Sequence, residues 1–455
     1  MAEKIEHIGK KEIVWSYAGT AFKIGAGLLL LPFILQSMSE ETVGVWTLFQ
    51  TITYLVLLLD FGFRPSFARN ISYIFTGVKT LKKEGVAHAS SDAEVDYGLL
   101  KGTLVAMRKF YRWISLAVFG LLITIGTVYF YFFVLNQYSG DRQDALIAWI
   151  LLIVINCYNL YTLYYDALLI GKGYITRCQQ INILGQTIYI LLAIGLIYAG
   201  WGLTAIVASQ LISTIIRRVL TYQVFFTKEM KARLVNAKQQ EPKAILSAIT
   251  PNAVKIGLTQ LGGFMVNKAA MIIAPMFIGL DLVARYGTTV MVMDVLAQCG
   301  AVFYQSYMPK LAQCRAEQDL KSLKRYYILC IGSLIAVFAV GGLLWVAFGN
   351  WALELIGSDT RFVGRTMLGV MLLICLLEHN HAISAGFIMA DNKIPFFIPS
   401  LVSGAATILL LWIFLGPLGW GIWGLILAPG IAQLAYQNWK WPSVVIKELW
   451  GKCKK

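Results

Sequence analysis

Twelve runs of about 20 mostly apolar residues recur along the chain, roughly at 15 to 36, 43 to 63, 113 to 135, 145 to 170, 179 to 199, 203 to 226, 252 to 279, 284 to 308, 327 to 349, 366 to 390, 396 to 416 and 420 to 439. A run of that length is what a helix needs to cross a hydrocarbon layer about 30 Å thick. In lipid each backbone N–H and C=O has to be bonded internally, which leaves a run like these little choice but helix. Composition agrees, with 58% of the 455 residues hydrophobic and 14% charged, where soluble domains carry about 25% charged residues. A soluble chain of this length could not hide that much apolar surface. The expected fold class is an all-α polytopic membrane protein with twelve transmembrane helices. Ahead of the first run lies the charged stretch AEKIEHIGKKEIV, which reads as an interfacial helix; with no short apolar core followed by a small-residue cleavage site, no cleaved signal peptide is expected.

A net charge of +15 would suggest nucleic acid in a soluble protein, but the positions of the charges argue otherwise. With both termini cytoplasmic, 30 of the 39 Lys and Arg residues fall in cytoplasmic segments and only 4 (Arg142, Arg285, Arg361 and Arg365) in outside loops. That is a strong positive-inside bias. Orientation and contact with anionic headgroups therefore account for most of the charge, no nucleic-acid partner is expected, and the location implied is a cytoplasmic membrane. Five basic residues remain inside or beside the runs: Lys23, Arg64, Arg69, Lys255 and Lys268. The seven cysteines lie in runs or on the cytoplasmic side without metal-ligand spacing, so neither disulfides nor a metal or other cofactor is expected. The C-terminal stretch WKWPSVVIKELWGKCKK suits an amphipathic helix at the inner interface.

The chain repeats itself. GWG occurs at Gly200 to Gly202 and again at Gly419 to Gly421, 219 residues later, and the turn IGKGYI corresponds to ADNKIP at a shift near 220. In the first hairpin of each half, Pro32 matches Pro275 and Pro65 matches Pro309, at shifts of 243 and 244. A longer cytoplasmic segment at 77 to 112 accounts for the difference. Six runs return the chain to its starting side, so the halves are parallel repeats. The expected domains are an N-terminal six-helix bundle at 1–226, a cytoplasmic linker at 227–251, a C-terminal bundle at 252–439 and an interfacial tail at 440–455.

A lysine at a helix centre costs about 2.5 to 3.5 kcal/mol on insertion scales, so Lys23 and Lys268 call for a reason. Lys23 lies between Gly19 and Gly27 on one face of the first run, and Lys268 falls within two residues of its counterpart in the seventh, beside Gln260, Gly263 and Asn267. Either they face a cavity that selects anions, or each pairs with a buried acid such as Asp294. Lys255 either joins that cavity or snorkels to the inner interface; Arg64, in DFGFRPSFARN, either guards the cavity mouth or anchors the interface. The fourth run carries Asn156, Asn159 and Asp166 among tyrosines, and the fifth Gln179, Asn182 and Gln186 on one face. Amides and tyrosines suit sugar hydroxyls and ring faces, and they equally suit polar contacts between helices. In the tenth run Glu378 and His381 stand three apart. A single Glu-x-x-His copy is too few for a di-iron site; the pair either relays protons or binds a coupling ion, with Asp294 as a further candidate, or forms a hydrogen-bonded structural cluster.

The first run ending LLLLPFILQ, the turn SMSEETVGVWTL, the following LLLDFGF and the later MADNKIPF resemble the polysaccharide-export branch of the MOP superfamily, and more narrowly the Wzx-type O-antigen flippases. The likeness runs the length of the chain in span count and repeat, on loosely defined motifs. It implies two six-helix bundles around a cavity opened alternately to either side, and a non-enzymatic monomer that flips an undecaprenyl-pyrophosphate-linked oligosaccharide from the inner to the outer leaflet. In that picture Lys23 and Lys268, helped by Lys255 and Arg64, hold the pyrophosphate, the fourth and fifth runs contact sugars, and Glu378, His381 and Asp294 couple a proton or sodium ion. Two other functions compete with it. A MATE-type multidrug exporter would carry acids in the first or seventh run, where this chain carries lysines. A membrane polymerase or glycosyltransferase would need larger external loops than these.

Overall fold

The computed structural model describes residues 10–78, 95–316, 319–390 and 395–451, and among them finds helices and no strand. Residues 1–9 of the expected N-terminal interfacial stretch, 79–94 of the 77–112 segment, 391–394 of the ADNKIP turn and Cys453 lie outside the described residues, as do the side chains of Lys23 and Lys255. The chain divides into two compact units, Met1–Ser37 with Ile52–Gly257 and Met38–Thr51 with Leu258–Lys455.

The first half and the linker run α1 (Lys10–Ser37), α2 (Glu40–Leu58), α3 (Phe63–Phe75), α4 (Tyr97–Leu121), α5 (Thr127–Tyr129), α6 (Arg142–Tyr161), α7 (Tyr164–Gly171), α8 (Ile175–Tyr198), α9 (Gly202–Phe225) and α10 (Lys228–Asn236), and α11 (Pro242–Asn267) carries the chain from the linker into the second half. The second half runs α12 (Ala269–Ile273), α13 (Leu280–Gly300), α14 (Val302–Ala316), α15 (Leu320–Leu355), α16 (Arg365–Met389), α17 (Phe397–Leu415), α18 (Ile422–Leu434) and α19 (Gln437–Gly451). On length and composition eight spans among the described residues can cross a membrane, or nine if α13 and α14, bent by 45°, count as one. With α1, α11 and α18 these are the twelve segments read from the sequence, and the protein is a multi-pass, all-helical membrane protein.

Several apolar runs are interrupted. After α2 the chain turns through Phe61 and Gly62, both at positive φ (48° and 71°), before α3 begins. Asp60 stabilises that turn by accepting the backbone N–H of Arg64 at 3.0 Å and the Tyr111 hydroxyl. The turn also needs Gly257 of α11 beside it, where a Cβ would meet the Phe61 Cα at 2.4 Å. The fourth run breaks at Thr162 and Leu163 to give α6 and α7, and α7 packs closely on α3, with Gly171 against the Ala68 carbonyl. The seventh run breaks at Lys268, whose backbone (φ −131°, ψ −17°) leaves the α-helical region between α11 and α12.

The two GWG turns share a backbone. Gly200 and Gly419 lie at φ 81° and 61°, and Gly202 and Gly421 at 55° and 54°. These positive values are ones that side chains with a Cβ adopt at a cost, so the sequence repeat records a repeated turn into α9 and into α18. The linker is anchored to α4. Lys101 Nζ donates to the carbonyls of Val235 and Ala237 at 3.1 and 3.0 Å, and Gln240 donates to the Asp96 carboxylate at 3.0 Å.

Candidate functional site

In the first unit a cavity of about 290 Å³ is lined by Gly19 and Phe22 of α1, Arg64 of α3, Asp166 of α7, Gln179, Asn182, Ile183 and Gln186 of α8, and Arg217 of α9. The geometry follows from close helix approaches. Gly19 leaves room for the Gln179 carboxamide, which a Cβ there would meet at 2.3 Å. Gly185 lets α9 close on α8, where Ser213 Oγ donates to the Gly185 carbonyl at 2.6 Å. The Asp60 turn fixes the first turn of α3 and with it Arg64, which is exposed to the cavity side.

Five expected residues meet here: Arg64, Asp166, Gln179, Asn182 and Gln186. The amides of α8 recur at i, i+3 and i+7, which puts them on one face, and that face lines the cavity. Asn182 makes one weak contact with Cys178 Sγ at 3.8 Å. Asn159 stands behind the cavity, its Oδ1 accepting from Arg218 Nη2 at 2.6 Å and from Arg217 Nη2 at 3.5 Å. Asn156 is elsewhere, buried and bonded to Thr53 Oγ1 and the Leu152 carbonyl at 3.3 and 2.9 Å, a contact between helices. Lys23 lies one turn past Gly19 in α1, and Lys255 lies in α11; their side chains are outside the described residues.

Sequence reading misses Arg217 and Arg218. Both lie at the end of an apolar run and fall among the cytoplasmic charges by position, whereas Arg218 is 1% exposed and holds Asp166 at 2.8 Å. That ion pair is close without being aligned as a hydrogen bond, since both contacting atoms, Arg218 Nη1 and Asp166 Oδ1, are left without a hydrogen-bond partner. Lys172, placed with the same group, is also 1% exposed; its ammonium stands 4.7 Å from the Tyr174 ring, with Phe75 and Phe225 at 5.6 and 5.8 Å. Among the described residues Arg64 and Arg217 have no ion-pair partner.

The second unit brings its candidates together in a different pattern. Lys268 Nζ is engaged by Asp294 in an ion pair. Next to it in sequence, Asn267 donates to Glu378 Oε1 at 3.3 Å, and Gln433 of α18 donates to the same oxygen at 3.0 Å. Glu378 Oε2 stands 3.9 Å from His381 Nδ1, which is itself hydrogen-bonded to Asn438 of α19 at 2.8 Å. The cluster thus ties α11, α16, α18 and α19 through one carboxylate and one imidazole. Buried Gln433 Oε1 is left without a partner.

No protein-family model and no curated protein matches the sequence. Solved structures do match it. An inward-facing multidrug resistance MATE family transporter of the MOP superfamily aligns over 93% of this chain and 95% of its own, with a TM-score of 0.70 at 14% identity. The chain has the fold of these transporters. The MATE multidrug transporter DinF-BH, solved as a complex, aligns over 98% of both chains with a TM-score of 0.64 at 15% identity. A MOP superfamily transporter from Pyrococcus furiosus, described as having a binding pocket of reverse polarity suggestive of a different function, aligns over 96% of this chain and 94% of its own with a TM-score of 0.56 at 13% identity. At these identities the shared property is the fold.

Proposed function

We propose that this protein is a transporter that carries an anionic, lipid-linked oligosaccharide across a cytoplasmic membrane by alternating access, coupled to a proton or sodium ion. The observation that carries this reading is the polar make-up of the first-unit cavity. There two guanidinium groups without carboxylate partners among the described residues, Arg64 and Arg217, share a wall with three carboxamides. Guanidinium forks bind phosphate oxygens in pairs. Carboxamides offer both a donor and an acceptor to each sugar hydroxyl. A pyrophosphate diester joined to a sugar needs both kinds of group side by side. Lys23, one turn from Gly19, adds to the same positive field in this reading.

The second-unit cluster supports the coupling half of the proposal. Ionisable groups at membrane depth are costly and concentrate on ion and proton paths, and Glu378, His381 and Asp294 supply two carboxylates and one imidazole. Those carboxylates also favour a second reading, a multidrug exporter acting on organic cations, and the MATE neighbours are multidrug transporters by name.

One binding experiment separates the two. Purified protein in nanodiscs is titrated with a short-chain prenyl-pyrophosphoryl-hexose and, separately, with a cationic dye. The anion reading expects the pyrophosphate to bind and Arg64→Ala or Arg217→Ala to weaken it by about ten-fold or more each, in line with a charged hydrogen bond. Binding of the dye alone, or equal binding of the pyrophosphate by wild type and both variants, overturns it.

A further inference from the structure

Asp166 is an unexpected wall for a cavity that binds anions. Its carboxylate lines the same space as Arg64 and Arg217, and it is held from behind by Arg218 at 2.8 Å. Arg218 is committed to the protein, with one nitrogen on Asp166 and the other on Asn159. Arg217 reaches Asn159 with one nitrogen at 3.5 Å, and its buried Nε has no partner. The other nearby carboxylate, Asp60, is turned to Tyr111 and to the Arg64 backbone and does not line the cavity. Among the described residues, three guanidinium groups against one carboxylate leave two net positive charges at the cavity.

We propose that Asp166 is a built-in counter-anion, placed to offset part of the positive charge of the cavity and to weaken the hold of Arg64 and Arg217 so that the cargo leaves. The inference rests on the anionic cargo proposed above. Its physical basis is that a transporter has to release what it binds, and a site with three uncompensated guanidinium groups around a dianion would hold it too long. At an effective dielectric constant of about 20, one like charge a side-chain length away alters an affinity by roughly ten-fold or more. Holding Asp166 with Arg218 rather than with the cargo-facing arginines keeps Arg64 and Arg217 free. Asp166 acts through the field at the cavity and needs no contact with the cargo.

The test measures binding and turnover in the full-length protein. In nanodiscs, Asp166→Asn is expected to bind the prenyl-pyrophosphoryl-hexose about ten-fold more tightly than wild type. In proteoliposomes the same variant is expected to move a labelled lipid-linked oligosaccharide several-fold more slowly. A purely structural ion pair predicts the opposite sign for binding, so unchanged or weaker binding by folded Asp166→Asn overturns the proposal. Should that variant not fold, the pair-deleted Asp166→Asn/Arg218→Gln protein decides. It restores two net positive charges, so binding within about three-fold of wild type supports the electrostatic role, and lost binding overturns it. The anionic cargo itself fails separately, if wild type does not distinguish the pyrophosphate from the parent prenol. If wild type binds and Arg217→Ala does not, while Asp166→Asn is no tighter, only the role of Asp166 falls.

Discussion

Arg218 shows how much one buried residue can decide. Its side chain is 1% exposed and its partner's is 12% exposed, so the pair has given up hydration that only its own contacts replace. Removing one partner strands the other. Arg218→Ala is therefore expected to cost about 3 to 5 kcal/mol, read as a lower melting temperature in detergent, whereas replacing both by Arg218→Met and Asp166→Leu should cost much less. A similar melting temperature for the single and double variants would show that the pair is not behaving as a buried charge couple. The sequence held a signal for this face that charge counting passes over. Ala205, Ser209 and Ser213 recur every four residues along α9, a stripe of small residues of the kind that packs helices closely in membranes, and the next position on it is Arg217.

Among single elements, the turns and breaks do the positioning. The GWG turn into α9 is capped from α6, where Asp144 accepts the backbone N–H groups of Leu203 and Thr204 at 2.6 and 2.9 Å. A Cβ on Gly202 would meet Asp144 Oδ2 at 2.5 Å, whereas one on Gly421 meets nothing within 4 Å. Both glycines have positive φ, so each Gly→Ala change is expected to destabilise by about 1 to 3 kcal/mol, with Gly202→Ala the worse because it also displaces the cap. Equal melting temperatures for the two variants would show that the Asp144 contact is not holding the turn. The break at Lys268 is instructive in a different way. The matching lysine, Lys23, lies within a continuous α1, while Lys268 ends α11 and turns to Asp294. Local pattern locates both lysines and cannot give this difference, because a helix break in lipid depends on which neighbours satisfy the freed backbone groups. The C-terminal helix follows the amphipathic pattern read for it, and the side it buries, Trp441, Val445 and Leu449, is pinned by an ion pair from Arg315 to Glu448.

For the whole molecule, the duplicated halves share turns and differ in polar content. The first unit holds an arginine cavity and the second a carboxylate and histidine cluster. The orientation proposed from the basic residues also belongs here. A reporter active only outside the cytoplasm is expected to work when fused after Ser139 and to be silent when fused after Asn236; the reverse would invert the topology and the direction of transport with it. Burial of Lys172 and Arg218 takes those two charges out of the headgroup count and leaves a large inside excess. Span number, helical class, duplication and the amide face of α8 were all legible along the chain, because hydropathy, periodicity and the glycine demands of a turn are properties of neighbouring residues. Which charges neutralise each other and which are left facing a cavity emerges only when the helices are packed. Arg218 with Asp166, Lys268 with Asp294 and Gln433 with Glu378 are contacts between different helices, and whether a buried charge is partnered depends on what the fold sets against it.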